Sequence, residues 1–330
     1  MVIAMNADAV RDATPEEWSA SRHLADHGGH VRLMSGFWQT ELKLPLTADL
    51  RTCHAAHRIY AQFKYDRLTG SAEWVGSLAQ ALPELSDGIL HTGSASHYHY
   101  IVDGLGNLSP AVLQAAGKIF VDAEYSDDQV ALLEAVVLSQ SARRIDVVRV
   151  PHGTYRVTNV ILPKARDFST RVHVARTSIL RLPARQTASR QRIYVTRRKA
   201  GSRQLINEAE FAHGLKQAYG FEVVENEGLS LQAQLDLYSG AEFVAGPHGA
   251  GLTNILFSRR PRGLLEFWHS VQQPFFEGLA ESLGISYFAA RGMPMPGGPQ
   301  GWRSDNGPFA IDPRLALRAV DMLVAGQPRR

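Results

Sequence analysis

The fold is decided by the stretch Phe243-Val244-Ala245-Gly246-Pro247-His248-Gly249-Ala250-Gly251-Leu252-Thr253-Asn254. An apolar run typical of a buried strand enters a turn with three glycines and a proline, and we predict a short helix after it. Glycine lets the backbone approach a ligand, and the first turn of a helix carries unpaired amides and the positive end of the helix dipole. This pattern predicts a phosphate site, although a plain tight turn would also account for the glycines.

Strands and helices alternate around this loop. Downstream of residue 190 we predict strands at 192–196, 221–224, 242–245, 264–267 and 285–289. Helices are predicted after Asn207, which forms a capping-box pattern with Glu210, after Ser230, and at 251–257, 274–283 and 313–324. Such alternation indicates a parallel sheet with helices on both faces, and a ligand site at the carboxyl ends of its strands.

A similar pattern runs through the first half of the chain. The predicted strands lie at 59–63, 72–75, 118–122 and 145–150, and the predicted helices at 15–28, 98–106, 110–116 and 127–137. We therefore predict an α/β protein with two Rossmann-like, doubly wound domains. The predicted limits are 1–53 for an N-terminal extension, 54–180 and 181–300 for the two domains, and 301–330 for a C-terminal helix. The sequence allows this helix to pack against either domain, the first included. Residues 167–190 lack clear periodicity, so we predict the inter-domain link there.

Composition excludes several classes of protein. Hydrophobic residues make up 45% of the 330 residues and charged residues 20%, which is ordinary for a globular chain. The apolar runs fall short of the roughly 20 residues that span a bilayer, and the N-terminus lacks a basic and apolar signal sequence. Cys53 is the single cysteine, which excludes a disulfide framework and a cysteine-rich zinc site. We therefore expect a cytoplasmic protein.

Positive charge is concentrated between residues 151 and 205, where thirteen Lys or Arg accompany one acidic residue, Asp167. The segment is either a solvated connector or a basic wall that faces an anionic ligand, such as a nucleotide diphosphate, a phospholipid headgroup or an acidic glycan. No nucleic-acid-binding motif accompanies the charge, so we expect no nucleic-acid partner. A peripheral association with a membrane stays open, and the sequence indicates no oligomeric state.

Several side chains outside the loop are candidates for chemistry. Arg197, Arg198 and Lys199 end a predicted strand, where they either bind a diphosphate or form a solvated charge run. His99 and Asp103 lie four residues apart on a predicted helix, which suits a general base but also a surface pair.

Two carboxylates complete the set of candidates. Glu266 closes a predicted strand and suits the ribose hydroxyls of a nucleotide, though it is equally a plain edge residue. Glu227, in the turn after another strand, is a weaker candidate. No histidine, cysteine or acidic residues show metal-ligand spacing, so we predict no metal site.

In their order along the chain, several segments resemble glycosyltransferase family 61, the group of bacterial capsule-type enzymes, plant xylan transferases and animal protein O-GlcNAc transferases. The resemblance covers roughly residues 90 to 325. It rests on Arg192-Ile193-Tyr194-Val195-Thr196-Arg197, Leu205-Ile206-Asn207-Glu208, Gly220-Phe221-Glu222-Val223-Val224, Leu229-Ser230-Leu231-Gln232-Ala233-Gln234 and above all Gly246 to Asn254. Upstream, His99-Tyr100-Ile101-Val102-Asp103-Gly104-Leu105 resembles the family's H-W-x-x-D/E-x-L helix, with departures at Ser96 and Gly106-Asn107.

The resemblance implies a GT-B fold, an inverting mechanism without a catalytic metal, and a nucleotide-diphosphate sugar donor, which we expect to be of the UDP type. It implies a glycan or lipid-linked glycan acceptor, polysaccharide biosynthesis, and a place in the cytoplasm or at the inner face of the membrane. The resemblance implies that the glycine loop and Arg197 hold the donor diphosphate, that Glu266 holds the nucleoside, and that Asp103 with His99 is the base. Together with the candidates above, we expect the donor-binding residues to be Arg197, Arg198, Glu227, Gly246, Pro247, His248, Gly249, Ala250, Gly251, Thr253, Asn254 and Glu266, and the catalytic residues to be Asp103, His99 and His248.

Two alternatives belong to other classes. The departures at Ser96 and Gly106 are compatible with a nucleotide- or glycan-binding module that has lost catalysis. A nucleotide-dependent oxidoreductase or epimerase on a Rossmann scaffold would need a Tyr-x-x-x-Lys or similar pair, and we find none in a convincing place.

Overall fold

The computed structural model describes the residues 24–27, 30–40, 44–48, 78, 80–141, 143–164, 166–185, 191–269, 274–295 and 307–325. The predicted strands at 59–63 and 72–75, Cys53 and most of the N-terminal extension lie outside these residues. The chain divides into two compact units. The first comprises Met1–Ala95 and His99–Asp167, and the second comprises Ser96–Tyr98 and Phe168–Arg330.

The first unit contains a mixed eight-stranded sheet among the described residues. Its strands are β1 (Leu24–Asp26), β2 (His30–Gln39), β3 (Leu44–Thr47), β4 (Glu84–Ser86), β5 (Ile89–Leu90), β6 (Lys118–Asp122), β7 (Asp146–Val150) and β8 (Thr154–Pro163). Strand β2 pairs antiparallel with β1, β3 and β8, whereas the pairs among β4 to β8 are parallel. The predicted parallel sheet is therefore confirmed for β4 to β8, whereas the antiparallel pairs of β2 with β1, β3 and β8 depart from the predicted doubly wound domain.

The first unit's helices follow the sequence pattern more closely. A helical segment begins with His97–His99, continues as a π-helix at Tyr100–Gly104 and ends as a 3₁₀ turn at Leu105–Asn107. Helices α1 (Pro110–Gln114) and α2 (Asp127–Gln140) follow. Helix α2 begins with a capping box between Ser126 and Gln129. The predictions at 98–106, 110–116 and 127–137 are confirmed. The predicted helix at 15–28 is wrong where it is described, because Leu24–Asp26 is a strand.

The second unit is built on a five-stranded, fully parallel sheet, as predicted. Its strands are β9 (Gln191–Val195), β10 (Phe221–Val224), β11 (Ala241–Pro247), β12 (Gly263–Trp268) and β13 (Ser286–Arg291), in the spatial order β10-β9-β11-β12-β13. A short antiparallel pair, β14 (Met293–Pro294) and β15 (Phe309–Ala310), accompanies it. Because β11 follows β10 along the chain but pairs with β9, the order reverses between β9 and β11, which defines a topological switch point.

The second unit's helices are α3 (Phe168–Leu180), α4 (Glu208–Tyr219), α5 (Leu231–Tyr238), a 3₁₀ helix (Ala250–Phe257), α6 (Phe275–Leu283) and α7 (Pro313–Ala325). Phe211 of α4 and Val320 of α7 share one buried cluster with Phe243 and Leu265 of the sheet. Helix α7 therefore packs within this unit, whereas the sequence also allows it to pack against the first domain. Helix α3 occupies part of 167–190, where we predicted an irregular link; Val172, Ala175 and Ile179 form its buried face.

The ends of α4 show one wrong prediction and one that is confirmed. Asn207 makes no capping hydrogen bond, and its side chain instead bonds the backbone of Ile311 in both directions, so the predicted capping box with Glu210 is wrong. Gly220 ends the helix in the left-handed conformation with φ 69°, as predicted.

Candidate functional site

A cavity of about 270 Å³ opens in the second unit at the carboxyl ends of β9 and β11, where the strand order reverses. In an open parallel sheet the chain leaves these two strands in opposite directions, which opens a crevice between them. The cavity is lined by His97, Val195, Thr196, Arg197, Asn226, Glu227, Gln234, Pro247, Gly249, Ala250, Gly251 and Leu252. The predicted loop therefore lies in the wall of a cleft.

Each of three loop glycines makes room for a specific neighbour. A Cβ atom at position 246 would lie 2.7 Å from the carbonyl oxygen of Val195, so Gly246 lets β11 approach β9. A Cβ at Gly249 would overlap the guanidinium of Arg197, and a Cβ at Gly251 would lie 2.8 Å from Nδ2 of Asn226. Gly249 and Gly251 therefore seat polar side chains against the loop backbone, which a tight turn alone does not require.

Arg197 carries the positive charge of the cavity wall. It follows β9, lies against Gly249 and donates from Nη2 to the carbonyl of Ser202 at 3.1 Å. Burial, helped by Arg203, lowers the pKa of the Arg197 guanidinium to about 10, so the group remains protonated at neutral pH. A partly desolvated cation beside backbone amides and the dipole of the following helix suits an anionic ligand.

The two cations that follow are directed elsewhere. Lys199 forms an ion pair with Glu225 at 2.5 Å, and Nε of Arg198 lies 4.0 Å from a carboxylate oxygen of Glu208. Neither lines the cavity. The predicted convergence of three cations on one anion therefore reduces to Arg197, and donor binding by Arg198 has no support in this geometry.

Glu208, to which we assigned no role from the sequence, fixes the end of β9. Its buried carboxylate accepts hydrogen bonds from Tyr194 Oη at 2.9 Å, Thr196 Oγ1 at 2.7 Å and the backbone amide of Arg197 at 3.2 Å. Burial and this carboxylate raise the pKa of Tyr194 well above its usual range. Three donors on one buried carboxylate hold the start of the Arg197 segment in place. The only signal in the sequence was its position in one of the family-like segments.

His248 and Glu266 form a buried pair. Nδ1 of His248 bonds one carboxylate oxygen of Glu266, and Tyr287 donates to the other at 2.7 Å. The imidazole stacks on Trp268 with ring centroids 5.5 Å apart, and it does not line the cavity. Because both oxygens of this fully buried carboxylate are engaged, the arrangement favours a role for Glu266 in positioning His248 over the predicted contact with a ribose.

The middle of the 3₁₀ helix carries two buried polar side chains. Asn254 donates from Nδ2 to Gln234 at 2.8 Å, and its Oδ1 lies 2.6 Å from Nε2 of His97. Thr253 is fully buried beside it. Neither Thr253 nor Asn254 lines the cavity, whereas His97 and Gln234, neither of them among our predicted site residues, do. The contribution of Asn254 is therefore to hold two cavity residues.

His99 and Asp103 of the first unit form the predicted pair. Nδ1 of His99 lies 2.6 Å from Oδ2 of Asp103, whose side chain is 6% exposed against 33% for the imidazole. The pair belongs to the segment that contains the π-helix, a rare form that often marks functional sites. Asn107, one of the departures from the family pattern, donates to the backbone carbonyl of Asp103 at 2.7 Å. An acidic and a basic group are thus held together on a fixed backbone.

Neither a metal cluster nor a membrane span occurs in the part of the chain that the structure describes. No group of three or more His, Cys, Asp or Glu residues there could hold a metal ion. No helix there has the length and the apolar character that crossing a bilayer requires.

The fold and the cavity of the second unit define a Rossmann-like α/β protein with a cation beside a glycine loop at its switch point. The family model described as Glycosyltransferase 61 matches residues 97–265, just over half of the 330 residues. The chain belongs to this family and is a glycosyltransferase, with a sugar donor and a glycan acceptor in general terms. The match includes the His99–Asp103 pair and the glycine loop, and it ends one residue before Glu266. The search of curated proteins found no match.

Proposed function

We propose that the protein is an inverting, metal-independent glycosyltransferase that moves a sugar from a nucleotide-diphosphate donor, of the UDP type, to a hydroxyl of a glycan acceptor. The observation that carries this proposal is the guanidinium of Arg197 seated on Gly249 in the switch-point cavity. The family gives the reaction class, and the cation in the cavity wall supports the binding of an anion there. The GT-B arrangement of the family stays part of the proposal.

The chemistry requires the leaving diphosphate to be stabilised. In a single displacement the acceptor oxygen bonds to the anomeric carbon while the bond from that carbon to the phosphate oxygen breaks, and negative charge develops on the diphosphate. We assign its stabilisation to Arg197 and to the amides at the start of the 3₁₀ helix. His248, which Glu266 holds through Nδ1, does not line the cavity, so its role as a further donor stays a prediction from the sequence. A charged guanidinium and backbone dipoles would supply the charge that a divalent cation provides in other enzymes.

Asp103 is our candidate for the general base, with His99 as its partner. The acceptor hydroxyl must lose its proton as it attacks, and an ionised carboxylate is suited to take it. The supporting observation is the hydrogen bond between His99 Nδ1 and the largely buried carboxylate of Asp103. Such a contact fixes the orientation of the carboxylate.

The test separates donor binding from transfer. Purified protein is screened by thermal shift against nucleoside diphosphates and their sugars, because a ligand that binds the folded state raises its stability. Asp103→Asn should bind the donor as the wild type does and lose nearly all transfer, while Asp128→Asn, an exposed change, should leave both intact. Full transfer by Asp103→Asn would assign the base to another residue. If no nucleotide raises the stability of the wild-type protein, the proposal is wrong.

Loss of either proposed donor to the leaving group should lower turnover. Arg197→Ala and His248→Ala should each reduce it about a hundredfold, the usual effect of removing one preorganised donor. Arg318→Ala, at an exposed position of α7, is the matched control and should keep full activity. Activity that disappears in EDTA and returns with a divalent cation would contradict the metal-independent mechanism.

The cellular role is the least constrained part of the proposal. We propose that the acceptor is a glycan or a lipid-linked glycan in polysaccharide biosynthesis, and that the protein acts in the cytoplasm or at the inner face of the membrane. The concentration of Lys and Arg between residues 151 and 205 supports an anionic partner or surface. Release of the free nucleotide from a nucleotide sugar without any acceptor would exclude the alternative of a binding module without catalysis.

A further inference from the structure

His97 lines the cavity of the second unit, although the chain before Ser96 and after Tyr98 belongs to the first unit. The tripeptide Ser96–Tyr98 groups with the second unit, where the ring of Tyr98 packs against Phe276 with centroids 5.7 Å apart. The imidazole of His97 meets Phe257 edge-on at 6.2 Å and lines the cavity. The proposed stabilisation of the diphosphate assigns no role to His97.

A chain of hydrogen bonds fixes the tautomer of this histidine. The carbonyl of Leu229 can only accept, so the group of Gln234 that faces it at 3.1 Å is the amide nitrogen. The oxygen of Gln234 therefore accepts from Nδ2 of Asn254, and Oδ1 of Asn254 faces Nε2 of His97 at 2.6 Å. Nε2 must carry the hydrogen, which leaves Nδ1 of the neutral ring as an acceptor.

The surroundings favour the neutral form of the imidazole. Burial lowers the pKa of His97, and the hydrogen bond to Asn254 offsets this only in part. A neutral nitrogen lone pair repels a phosphate oxygen, which carries no proton in the ionised form, and it pairs with a hydroxyl or an N–H group. The cavity thus combines a cation, Arg197, with a neutral acceptor.

Asn226 offers a hydrogen-bond donor where His97 offers an acceptor. Its Oδ1 accepts from Tyr238 at 2.9 Å, and its buried Nδ2 has no hydrogen-bond partner among the described residues. Asn226 lines the same cavity as His97. Directed donors and acceptors of this kind are needed to recognise the hydroxyl-bearing part of a nucleotide sugar, whereas inorganic diphosphate would need cations and amides alone.

We propose that His97 determines donor specificity by accepting, through Nδ1, a hydrogen bond from a hydroxyl of the nucleotide sugar in the cavity. This inference rests on the proposed function of the site. The hydroxyl belongs to the ribose or to the transferred sugar, and the two sources are distinguished by the experiment below.

Two substitutions separate the two ring nitrogens. His97→Gln places an amide nitrogen near the position of Nε2, which keeps a donor for Asn254 and removes the acceptor at Nδ1. His97→Asn places an oxygen near the position of Nδ1 and gives up the bond to Asn254. A purely structural role for His97 would make His97→Asn the more damaging change for ligand binding, whereas our proposal requires the reverse. Thermal unfolding of both variants checks that they fold.

The measurement is the dissociation constant, by calorimetry, for UDP, its 2′-deoxy and 3′-deoxy analogues, and UDP-sugars that stabilise the wild type. If the partner is a ribose hydroxyl, His97→Gln binds UDP about three- to tenfold more weakly and no longer distinguishes UDP from one of the deoxy analogues, the change expected for one neutral hydrogen bond. If the partner is a sugar hydroxyl, the variant binds UDP normally and the UDP-sugar more weakly by that factor.

The failures of the two proposals look different. A folded His97→Gln protein that binds UDP and every UDP-sugar as tightly as the wild type overturns the role of His97 and leaves the proposed function intact. Wild-type protein that binds neither UDP nor any other nucleoside diphosphate or its sugar overturns both.

Discussion

Replacing Gly249 with alanine tests the central contact of the site without removing any polar group. The new Cβ would lie 2.9 Å from Cζ and 3.2 Å from Cδ of Arg197, and it would overlap Nη1. The backbone of Gly249 is extended, with φ 174°, so alanine is tolerated there and the substitution adds no backbone strain. The flexible arginine side chain, rather than the loop, is expected to move.

The size of the effect follows from this displacement. Carbon–carbon and carbon–nitrogen contacts are comfortable at about 3.5 to 4.0 Å, so the guanidinium must shift by on the order of 1 Å. Charge-assisted hydrogen bonds to a phosphate are short, about 2.7 to 2.9 Å, and do not survive such a shift. Losing one costs about 1.5 to 3 kcal/mol, which weakens diphosphate binding between about tenfold and a hundredfold. Stability should change by less than about 1 kcal/mol.

The assay is calorimetric titration of UDP into four proteins: wild type, Gly249→Ala, Arg197→Ala and the double variant. Since Gly249→Ala acts only through Arg197, it should have no further effect once the guanidinium is gone. Gly214→Ala in α4 is the control, because a Cβ there meets nothing within 4 Å. This control should bind UDP normally and gain about 0.5 to 1 kcal/mol of stability. Normal UDP binding by Gly249→Ala, or effects of the two substitutions that simply add, would refute the reasoning.

Three further predictions concern stability. Glu266→Gln should destabilise the protein by about 1 to 3 kcal/mol in urea unfolding, because an amide has one acceptor oxygen where the buried carboxylate accepts from both His248 and Tyr287; a change below about 0.5 kcal/mol would contradict this. The folded-state pKa of His97 lies below its ordinary value of 6.5, so below that pH the unfolded chain binds a proton that the folded chain does not, and stability falls. Unfolding between about pH 7.5 and 5.5 should show a shallower fall for His97→Gln, and equal slopes would exclude this contribution. Gly36→Ala should lower the melting temperature, with a loss of about 1 to 3 kcal/mol, because its Cβ would overlap the backbone oxygen of Leu46; an unchanged melting temperature would show that β2 and β3 separate readily.

Local features of the fold were accessible from the sequence because they depend on residues close together along the chain. The parallel strands β9 to β13 are short apolar runs, and Gly220 marks the end of α4 by its left-handed conformation. The contact of His99 with Asp103 follows from their spacing on a helix. Even the missed helix α3 had a local signal in the spacing of Val172, Ala175 and Ile179, which the intervening polar residues obscured.

The mixed sheet of the first unit shows where such local patterns end. In β8, Tyr155, Arg156 and Val157 alternate between buried and exposed, which identifies a strand but not its partner. Its antiparallel neighbour β2 lies more than a hundred residues earlier in the chain. Pairing over that distance is selected by the packing of the whole unit, so the direction of the sheet could not be predicted from alternation.

The sequence by itself determined that a glycine loop follows a buried strand, and it predicted an anion site there, because backbone freedom and a helix start are local properties. Only the tertiary structure decided which side chains meet there. It selected Arg197 over Arg198 and Lys199, engaged Glu266 with His248, and brought His97 to Asn254 across 157 positions of the chain. Those contacts depend on the order of the strands and on the burial of whole faces, and no pattern along a single segment encodes either.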